Sequence, residues 1–279
     1  MAAKNGRRKN KKSEKPSGRG GFLVIIIDRE KTNGEWTMQT QITYLDNSGF
    51  AVKTKRHFLI FDCWAKHPAN GKQGLAGGII VPEELAGKYV TVFVSHAHGD
   101  HFNPMIFRWA DKIQDIRYVL SDDIPSRAGA LMAAPHRSYD LGDMTVETFR
   151  STDEGVAFLT RVDGLSIYHA GDLNWWHWKG EDPWWNEDMA RDYKKEIGLL
   201  ADKQIDIAFI PVDPRLGDSM LLGIEYFMEH VGAKMVVPMH YGSAGAEAAH
   251  ALRASRVLAP FRGRIVMPLT RGQSIVFEK

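Results

Sequence analysis

The stretch that decides the fold is Ser95-His-Ala-His-Gly-Asp-His101, which directly follows the run Tyr89-Val-Thr-Val-Phe-Val94. β-Branched and aromatic residues in that run predict a buried strand, and the residues after the motif have a helical pattern. The motif therefore lies where a strand ends and a helix begins, which is where α/β folds place their chemistry.

Three imidazoles and one carboxylate within this motif are difficult to explain as packing, because each needs a polar partner when it is buried. A divalent metal site explains them better than a solvated, His-rich loop does. His96 and His98 are two residues apart in an extended segment and can point toward one ion. Asp100 and His101, at the start of the next helix, can turn toward a second ion beside it.

Two later stretches repeat the pattern of a buried strand that ends in a potential metal ligand. Residues 165–172 end in Asp172, and Gly171 there is expected to let the backbone come close to whatever Asp172 binds. Residues 233–240 end in His240. Asp62, at the end of an earlier apolar strand, is predicted either to hydrogen-bond the backbone of the histidine loop or to be a plain turn carboxylate.

The remaining pattern predicts short strands before the motif and a mixture of strands and helices after it. Residues 63–88 have no clear periodicity and are predicted to form a long loop beside the strand ends. The predicted elements are strands at 39–45, 50–54, 57–62, 118–121, 144–150, 156–161 and 205–212, and helices at 104–116, 126–133, 187–201 and 223–231.

The 279 residues are 44% hydrophobic and 25% charged, which is enough apolar sequence for the core of one large domain. Charge is unevenly distributed, since residues 1–20 contain eight Lys or Arg and one Glu while the whole chain has a formal charge of +2. We predict a disordered basic extension at residues 1–37 and one mildly acidic domain at 38–279. The acidic body argues against nucleic acid as a partner, because such binding needs a positive track.

The single cysteine, Cys63, excludes an internal disulfide and indicates a reducing compartment. The apolar run at residues 22–27 is too short to cross a bilayer, and no small-residue cleavage site follows it. The sequence therefore predicts a cytoplasmic protein without a membrane partner.

The order of these motifs resembles that of the metallo-β-lactamase-fold hydrolases: His-x-His-x-Asp-His, then a strand ending in Gly-Asp, then a strand ending in Pro-Met-His. The sequence flanking Asp172 and His240 is similar to a branch that includes ascorbate-6-phosphate lactonase. The resemblance covers residues 38–279 and implies an α/β fold, the four-layer αββα sandwich, with two metal ions at one edge of its sheets. By position it implies His96 and His98 for the first ion, Asp100, His101 and His240 for the second, and Asp172 as the bridge.

One ligand of that family has no counterpart in this sequence. The family usually has a further histidine at the end of a later strand, and the corresponding residues 148–154 contain none. Three outcomes are open: the first ion is absent, water fills the position, or Asp153, Glu154 or His169 replaces the histidine. A carboxylate there would favour harder ions such as manganese, whereas His169 is expected to support the site without binding the ion.

The implied function is metal-dependent hydrolysis of a small ester, lactone or phosphoester through a metal-bound hydroxide. Asp100 or Asp172 would orient the hydroxide and take its proton, and His240 or Tyr241 would stabilise the oxyanion. Zinc is the first expectation for one or two divalent ions, with manganese or iron as alternatives. The expected partner is a small-molecule substrate, and a homo-oligomer is left open.

Two alternatives belong to different classes of function. One is a nuclease or phosphodiesterase of the same fold, and the other is a non-catalytic, metal-binding regulatory protein with an incomplete site. Five tryptophans shortly after Asp172 either line an apolar pocket beside the ions, form a subunit contact or pack over the sheet edge. They are Trp175, Trp176, Trp178, Trp184 and Trp185.

Overall fold

The computed structural model describes residues 23–24, 39–69 and 71–279. The predicted disorder of the basic extension at residues 1–37 lies outside these residues. Of that extension the structure describes Leu23–Val24, whose backbone pairs with the last strand. The strands are β1 Leu23–Val24, β2 Gln39–Asp46, β3 Gly49–Lys53, β4 His57–Phe61, β5 Tyr89–Val94, β6 Ile116–Ser121, β7 Leu131–Ala133, β8 Ser138–Asp140, β9 Met144–Arg150, β10 Val156–Val162, β11 Leu165–His169, β12 Ile207–Pro211, β13 Met235–Met239 and β14 Ser274–Glu278. The α-helices are α1 Pro183–Gly198, α2 Leu222–His230 and α3 Gly245–Ala254.

The described strands form two mixed sheets. The first has the order β1-β14-β2-β3-β4-β5-β6-β7, and the second has the order β13-β12-β11-β10-β9-β8. Strands β4 to β7 are parallel to one another, as are β11 to β13, while hairpins supply most of the antiparallel pairs. Because parallel strands point the same way, their carboxyl ends collect at one edge of each sheet.

The parallel strands are buried on both faces, which explains their nearly continuous apolar sequence. Along β4, Leu59 and Phe61 belong to the core between the sheets, where Phe61 lies 6.1 Å from the Phe209 ring of β12. The alternate residues Phe58 and Ile60 pack in a second core on the outer face of the first sheet. This alternation follows from the two-residue period of a strand.

Helices cover the outer face of the second sheet. Tyr168 of β11 stacks on Phe227 of α2 with ring centroids 5.8 Å apart, and the Tyr193 hydroxyl of α1 donates to Gly223 O of α2 at 2.7 Å. A 3₁₀ segment, Pro104–Asp111, covers the other sheet through Ile106 and Trp109. The four layers confirm the predicted αββα sandwich.

Predictions for individual helices had mixed outcomes. Helices α1 and α2 confirm those predicted at 187–201 and 223–231. The helix predicted at 104–116 is confirmed in part, because a helix begins at Pro104 but is a 3₁₀ helix that ends at Asp111 before the chain turns into β6. The helix predicted at 126–133 is also wrong: Gly129 has a φ of +81°, and the last three residues form β7 beside β6. Helix α3 was not predicted, although Ala248 and Leu252 are buried at helical spacing.

No helix among the described residues is both long enough and apolar enough to span a bilayer.

The two sheets meet closely at the histidine motif. Gly155, in the turn between β9 and β10, has a φ of +68°, and a Cβ added there would lie 2.0 Å from Ser95 O. Val156 N donates to the same oxygen at 2.9 Å. Gly171 is similarly close, with an added Cβ 2.7 Å from Ser95 Cβ. The expected close approach at Gly171 is therefore to the Ser95 side chain.

We predict that Gly155→Ala destabilises the fold much more than Gly142→Ala. Gly142 also has a positive φ, +83°, but an added Cβ meets nothing within 4 Å, so this control measures backbone strain alone. We expect the control to lose about 1 kcal/mol of unfolding free energy. Gly155→Ala should lose a further 1–3 kcal/mol or so because the methyl group overlaps Ser95. Equilibrium urea denaturation measures both values, and equal losses would contradict the close packing of the two sheets at this point.

Candidate metal centre

Residues that follow five different strands meet at one edge of the sandwich. Asp62 follows β4 and His96 follows β5 in the first sheet, while Asp172, Asp213 and His240 follow β11, β12 and β13 in the second. Each pair of neighbouring strands in these sets is parallel, which brings the residues after them together. The centre is thus built from both sheets.

Asp62 anchors the histidine motif of the first sheet. Its carboxylate is buried and accepts from Ser95 N at 2.8 Å, Ser95 Oγ at 2.6 Å and His101 Nδ1 at 2.8 Å. Burial raises the pKa of Asp62, but the hydrogen bond from His101 and the charges of the neighbouring histidines together outweigh it, so the pKa lies well below its usual range. The φ of Asp62 is +43°, an uncommon conformation for a non-glycine residue that these bonds hold in place. Of the two sequence interpretations of Asp62, the supporting role is confirmed.

The three buried histidines among the candidate ligands, His96, His101 and His240, are all oriented through Nδ1. The Ser95 hydroxyl donates its one hydrogen to Asp62, so His96 Nδ1 must donate to the Ser95 oxygen. The Nδ1 atoms of the other two histidines face carboxylates, which only accept, so these atoms donate as well. In neutral imidazoles this leaves each Nε2 as a lone-pair donor. The Nδ1 contacts are His96 with Ser95 Oγ at 2.9 Å, His101 with Asp62 at 2.8 Å and His240 with Asp213 at 3.1 Å.

The three Nε2 atoms converge on the carboxylate of Asp172. His101 Nε2 lies 3.3 Å from Asp172 Oδ1, while His240 Nε2 and His96 Nε2 lie 3.5 Å and 3.6 Å from Oδ2. Ligand atoms of a tetrahedral zinc site with bonds of about 2.0–2.1 Å lie roughly 3.3 Å apart, which is similar spacing. His96 Nε2, His101 Nε2 and Asp172 Oδ1 are buried without a hydrogen-bond partner. Such atoms are costly to bury unpaired, so this donor set fits a bound cation.

The other candidate ligands lie toward solvent and complete two groups. His98 Nδ1 is 3.5 Å from Asp153 Oδ2, and His98 Nε2 is 3.5 Å from Glu154 Oε2. The structure therefore brings Asp153 to the position where the sequence lacks a histidine. The two groups of potential ligand atoms are His96, His98, Asp153 and Asp172, and Asp100, His101 and His240.

Asp100 is the accessible carboxylate of the second group, with half of its side chain exposed. Its Oδ2 lies 3.8 Å from His101 Nε2 and 3.9 Å from His240 Nε2. Asn47, in the turn between β2 and β3, donates to the same oxygen at 2.9 Å, and Asn47 O accepts from His240 N at 3.1 Å. Asn47 therefore links the two sides of the centre.

His169 is excluded from direct binding by its own contacts. Its Nε2 is 2.8 Å from Ser48 O, and its Nδ1 accepts from Gly171 N at 3.2 Å, so neither nitrogen is free. The ring is buried and stacks on Phe61 at 5.0 Å. This agrees with the supporting role expected for His169.

Charges within the centre shift the pKa values of its groups in different directions. Burial lowers the pKa of His101, but the carboxylates of Asp172 and Asp62 outweigh it and raise the pKa to about 9. Burial and the neighbouring His101 lower the pKa of His96. Burial raises the pKa of Asp172, but the imidazoles of His101 and His240 reverse this and lower it. Asp172 is thus held as a carboxylate, and a cation must displace a proton from His101 to bind there.

Tyr241 is not part of the centre, and its expected role at the oxyanion is wrong. Its hydroxyl donates to Leu269 O and accepts from Leu269 N, both at 2.9 Å, and its ring packs on Tyr44 at 5.4 Å. Both polar capacities of the hydroxyl are used by a distant loop. Although Tyr241 directly follows His240 in sequence, its side chain therefore points away from the centre.

The tryptophans separate into different environments. Trp176 lies beside the centre, since its ring is 5.5 Å from the His240 ring and its Nε1 donates to Asp172 O at 2.9 Å. Trp175 packs against Tyr193 of α1 instead, and Trp184 is exposed on that helix. Only part of the predicted aromatic wall is therefore adjacent to the metal ligands.

Several supporting residues were missed in the sequence. Asp213 follows a buried strand in the same way as Asp172, and that pattern could have revealed it. Ser95, Asn47 and Asp123 offered no such signal, and Asp123 is recognised only because its carboxylate accepts from Ala97 N at 2.8 Å. Their roles depend on contacts between distant parts of the chain.

Comparisons with known proteins agree with the fold and with the predicted class of enzyme. The UPF0173 metal-dependent hydrolase of Bacillus velezensis is 26% identical over 227 residues, which cover 73% of this chain and 86% of that relative. The structure of Igni18, a metallo hydrolase from Ignicoccus hospitalis, has a TM-score of 0.61 at 16% identity and covers 86% of this chain and 99% of its own. The metallo-β-lactamase fold protein YhfI from Bacillus subtilis has a TM-score of 0.56 at 15% identity, with 87% and 100% covered. No protein-family model matches the chain.

The αββα sandwich is thus the metallo-β-lactamase fold, and the sequences similar to this chain are those of metal-dependent hydrolases. Within that class, the similar sequences carry the description UPF0173 metal-dependent hydrolase. The finer likeness to ascorbate-6-phosphate lactonase stays a prediction.

We predict that Asp62→Asn lowers metal affinity about 10- to 100-fold, because the amide cannot accept from both Ser95 and His101 as the carboxylate does. Asp206→Asn is the matched control: Asp206 is also buried and accepts from a backbone N–H, that of Ser166, but it pairs with Lys234 and Lys279 rather than with the centre. Competition with a chromophoric zinc chelator measures the affinity of each variant. An equal loss in both variants would show that Asp62 acts only through general stability.

Proposed function

We propose that this chain hydrolyses a small ester, lactone or phosphoester at the centre between its two sheets. The observation that carries the proposal is the convergence of three pre-oriented Nε2 atoms on one buried carboxylate, with two of those nitrogens unpaired. Packing of a hydrophobic core does not require such an arrangement, whereas binding of a divalent cation does.

We further propose two unequal metal sites. The exposed site consists of His96, His98, Asp153 and Asp172, and two of its members, His98 and Asp153, are nearly half exposed. Compared with a three-histidine site, the carboxylate of Asp153 makes this site more favourable for a harder ion such as manganese or iron. Water reaches these ligands readily, so the ion they hold exchanges readily.

The buried site consists of Asp100, His101 and His240, with Asp172 as the shared ligand. Each imidazole is fixed by a buried carboxylate, Asp62 or Asp213, which raises its basicity as a ligand. This site has the same donor types as the exposed one, but its two imidazoles are buried and held in place, so zinc should bind here more tightly.

Divalent ions bound at these sites would supply Lewis acidity, which lowers the pKa of a coordinated water to about 7. Asp172 is buried and faces three imidazoles, so it would hold the ions and orient the coordinated water. Asp100 is the carboxylate that solvent reaches, and Asn47 fixes it, so we assign proton transfer to Asp100.

The proposed substrate is a small molecule. The acidic body disfavours a polyanionic nucleic acid, whose binding needs many basic contacts. The half-exposed centre and the neighbouring Trp176 ring suit a compact substrate with an apolar part. Cytoplasmic location and oligomeric state stay predictions from the sequence.

Metal titration into the apo-protein should show two affinities. We expect Asp153→Ala to weaken only the lower-affinity event and His240→Ala to remove the higher-affinity one, because each ligand belongs to one group. Asp115→Ala, an exposed carboxylate change outside both groups, is the control. Isothermal titration with zinc and manganese, together with elemental analysis, measures the effect. Two equally tight events that are both unchanged by Asp153→Ala would contradict the unequal sites.

Hydrolysis should depend on the bound metal. We expect the metal-loaded chain to cleave at least one of three substrate classes, namely p-nitrophenyl esters, acyl lactones and bis(p-nitrophenyl) phosphate. The apo-protein lacks the metal and metal-treated His240→Ala lacks one ligand, so each should be at least about 100-fold less active. If the chain binds two ions and cleaves none of the three classes, the proposed chemistry is wrong.

A further inference from the structure

A closed ring of side-chain contacts begins and ends at His240. The His240 ring lies 5.5 Å from Trp176, and Trp176 stacks on Trp178 at 6.3 Å with an angle of 6° between their planes. The guanidinium carbon of Arg215 lies 5.7 Å from the centre of the Trp178 ring. Arg215 pairs with Asp213, and Asp213 contacts His240 Nδ1 at 3.1 Å. We call these five residues the Trp–Arg ring.

Arg215 uses only one edge of its guanidinium within this ring. Its Nε lies 2.8 Å and 3.0 Å from the two oxygens of Asp213, and its Nη2 also donates to that carboxylate. Among the described residues, Nη1 has no hydrogen-bond partner. The side chain is 64% exposed, while that of Asp213 is 2% exposed. A permanent cation therefore presents free N–H groups to solvent beside the metal centre.

Arg215 is not needed merely to fix Asp213. The carboxylate of Asp213 already accepts from the backbone N–H of Arg215 at 2.9 Å and contacts His240, so two partners hold it without the guanidinium. Hydrogen bonding to Asp213 raises the pKa of Arg215 most, and the negative charges of Asp213, Asp100 and Asp172 raise it further. An exposed guanidinium next to a partly exposed indole offers one charged and one apolar surface.

We infer that Arg215 is a specificity-determining residue that binds an anionic group of the substrate, a carboxylate or a phosphate, while Trp178 contacts the carbon skeleton. This inference rests on the proposed hydrolysis at the metal centre. A single carboxylate, Asp213, separates the guanidinium from the His240 imidazole. A compact substrate can therefore place its reacting carbonyl or phosphoryl at the centre and a second, charged group a few bonds away on Arg215. The planar fork of arginine suits both anions.

The test uses two acids that differ in one group, glutarate and valerate. Each has one carboxylate for the metal centre, and glutarate has a second one in place of the terminal methyl group of valerate. We expect the metal-loaded chain to bind glutarate about tenfold or more tightly than valerate, and Arg215→Gln to remove this difference without changing valerate binding. Isothermal titration measures the affinities, and elemental analysis verifies equal metal content.

Arg191→Gln is the matched control. Arg191 is 63% exposed and also pairs with aspartates, Asp188 and Asp192, but it lies on α1. This variant should keep the preference for glutarate. In a kinetic arm, Arg215→Gln should raise KM for mono-p-nitrophenyl glutarate about tenfold, with kcat and all constants for p-nitrophenyl valerate unchanged.

Each contrary result has a distinct meaning. Equal binding of the two acids by the metal-loaded chain, or an unchanged preference in Arg215→Gln, overturns the role of Arg215 while leaving the hydrolase intact. Reduced metal content together with equal loss of both acids makes Arg215 a positioning residue for Asp213 and also overturns it. Failure of the wild-type chain to bind divalent metal overturns the proposed function itself, and this inference with it.

Discussion

The carboxylate of Asp62 is the interaction on which the centre depends, because one buried group fixes both ends of the histidine motif. It receives the Ser95 backbone and hydroxyl where β5 ends and the His101 imidazole after the following turn. Ser95 in turn accepts from His96. A short network thus sets the tautomers of two imidazoles and aims their free nitrogens at the same point.

The second sheet completes what the first begins. Asp172 and His240 follow strands that pair only within that sheet. The turn that contains Gly155 packs closely against Ser95 of the first sheet. The centre therefore exists only when the two sheets are packed face to face. Unpaired nitrogens and a carboxylate oxygen buried at that junction lower the stability of the metal-free fold, so metal binding and folding should reinforce each other.

The centre is uneven in its contact with solvent. His98, Asp153 and Asp100 are about half exposed, whereas His101 and His240 are buried, and Trp176 lies beside His240. Asp153, one of the replacements that the sequence left open, adds a carboxylate to the exposed group. The Trp–Arg ring shows the same difference in exposure beyond the ligands. The guanidinium of Arg215 is exposed, while its partner Asp213 is buried and contacts His240.

The sequence alone determined the parts that depend on local pattern. The apolar run of β5 and the spacing of His96 to His101 predicted a strand that ends in metal ligands. The αββα sandwich and the convergence of Asp172 and His240 followed from the resemblance that the order of the motifs carries. Strand periodicity and strand-end ligands can be read locally because each fixes the direction of neighbouring side chains.

Only the tertiary structure decided the conformations and partners that depend on distant residues. The segment at 131–133 became a strand because the edge of β6 offered hydrogen bonds that outweigh weak local preference. Asn47 reached Asp100 across 53 residues of sequence, and Tyr241 turned from His240 to a loop 28 residues away. Such contacts carry no periodic signal, because a hydrogen bond between distant residues depends on how the sheets pack and not on the spacing of residues along the chain.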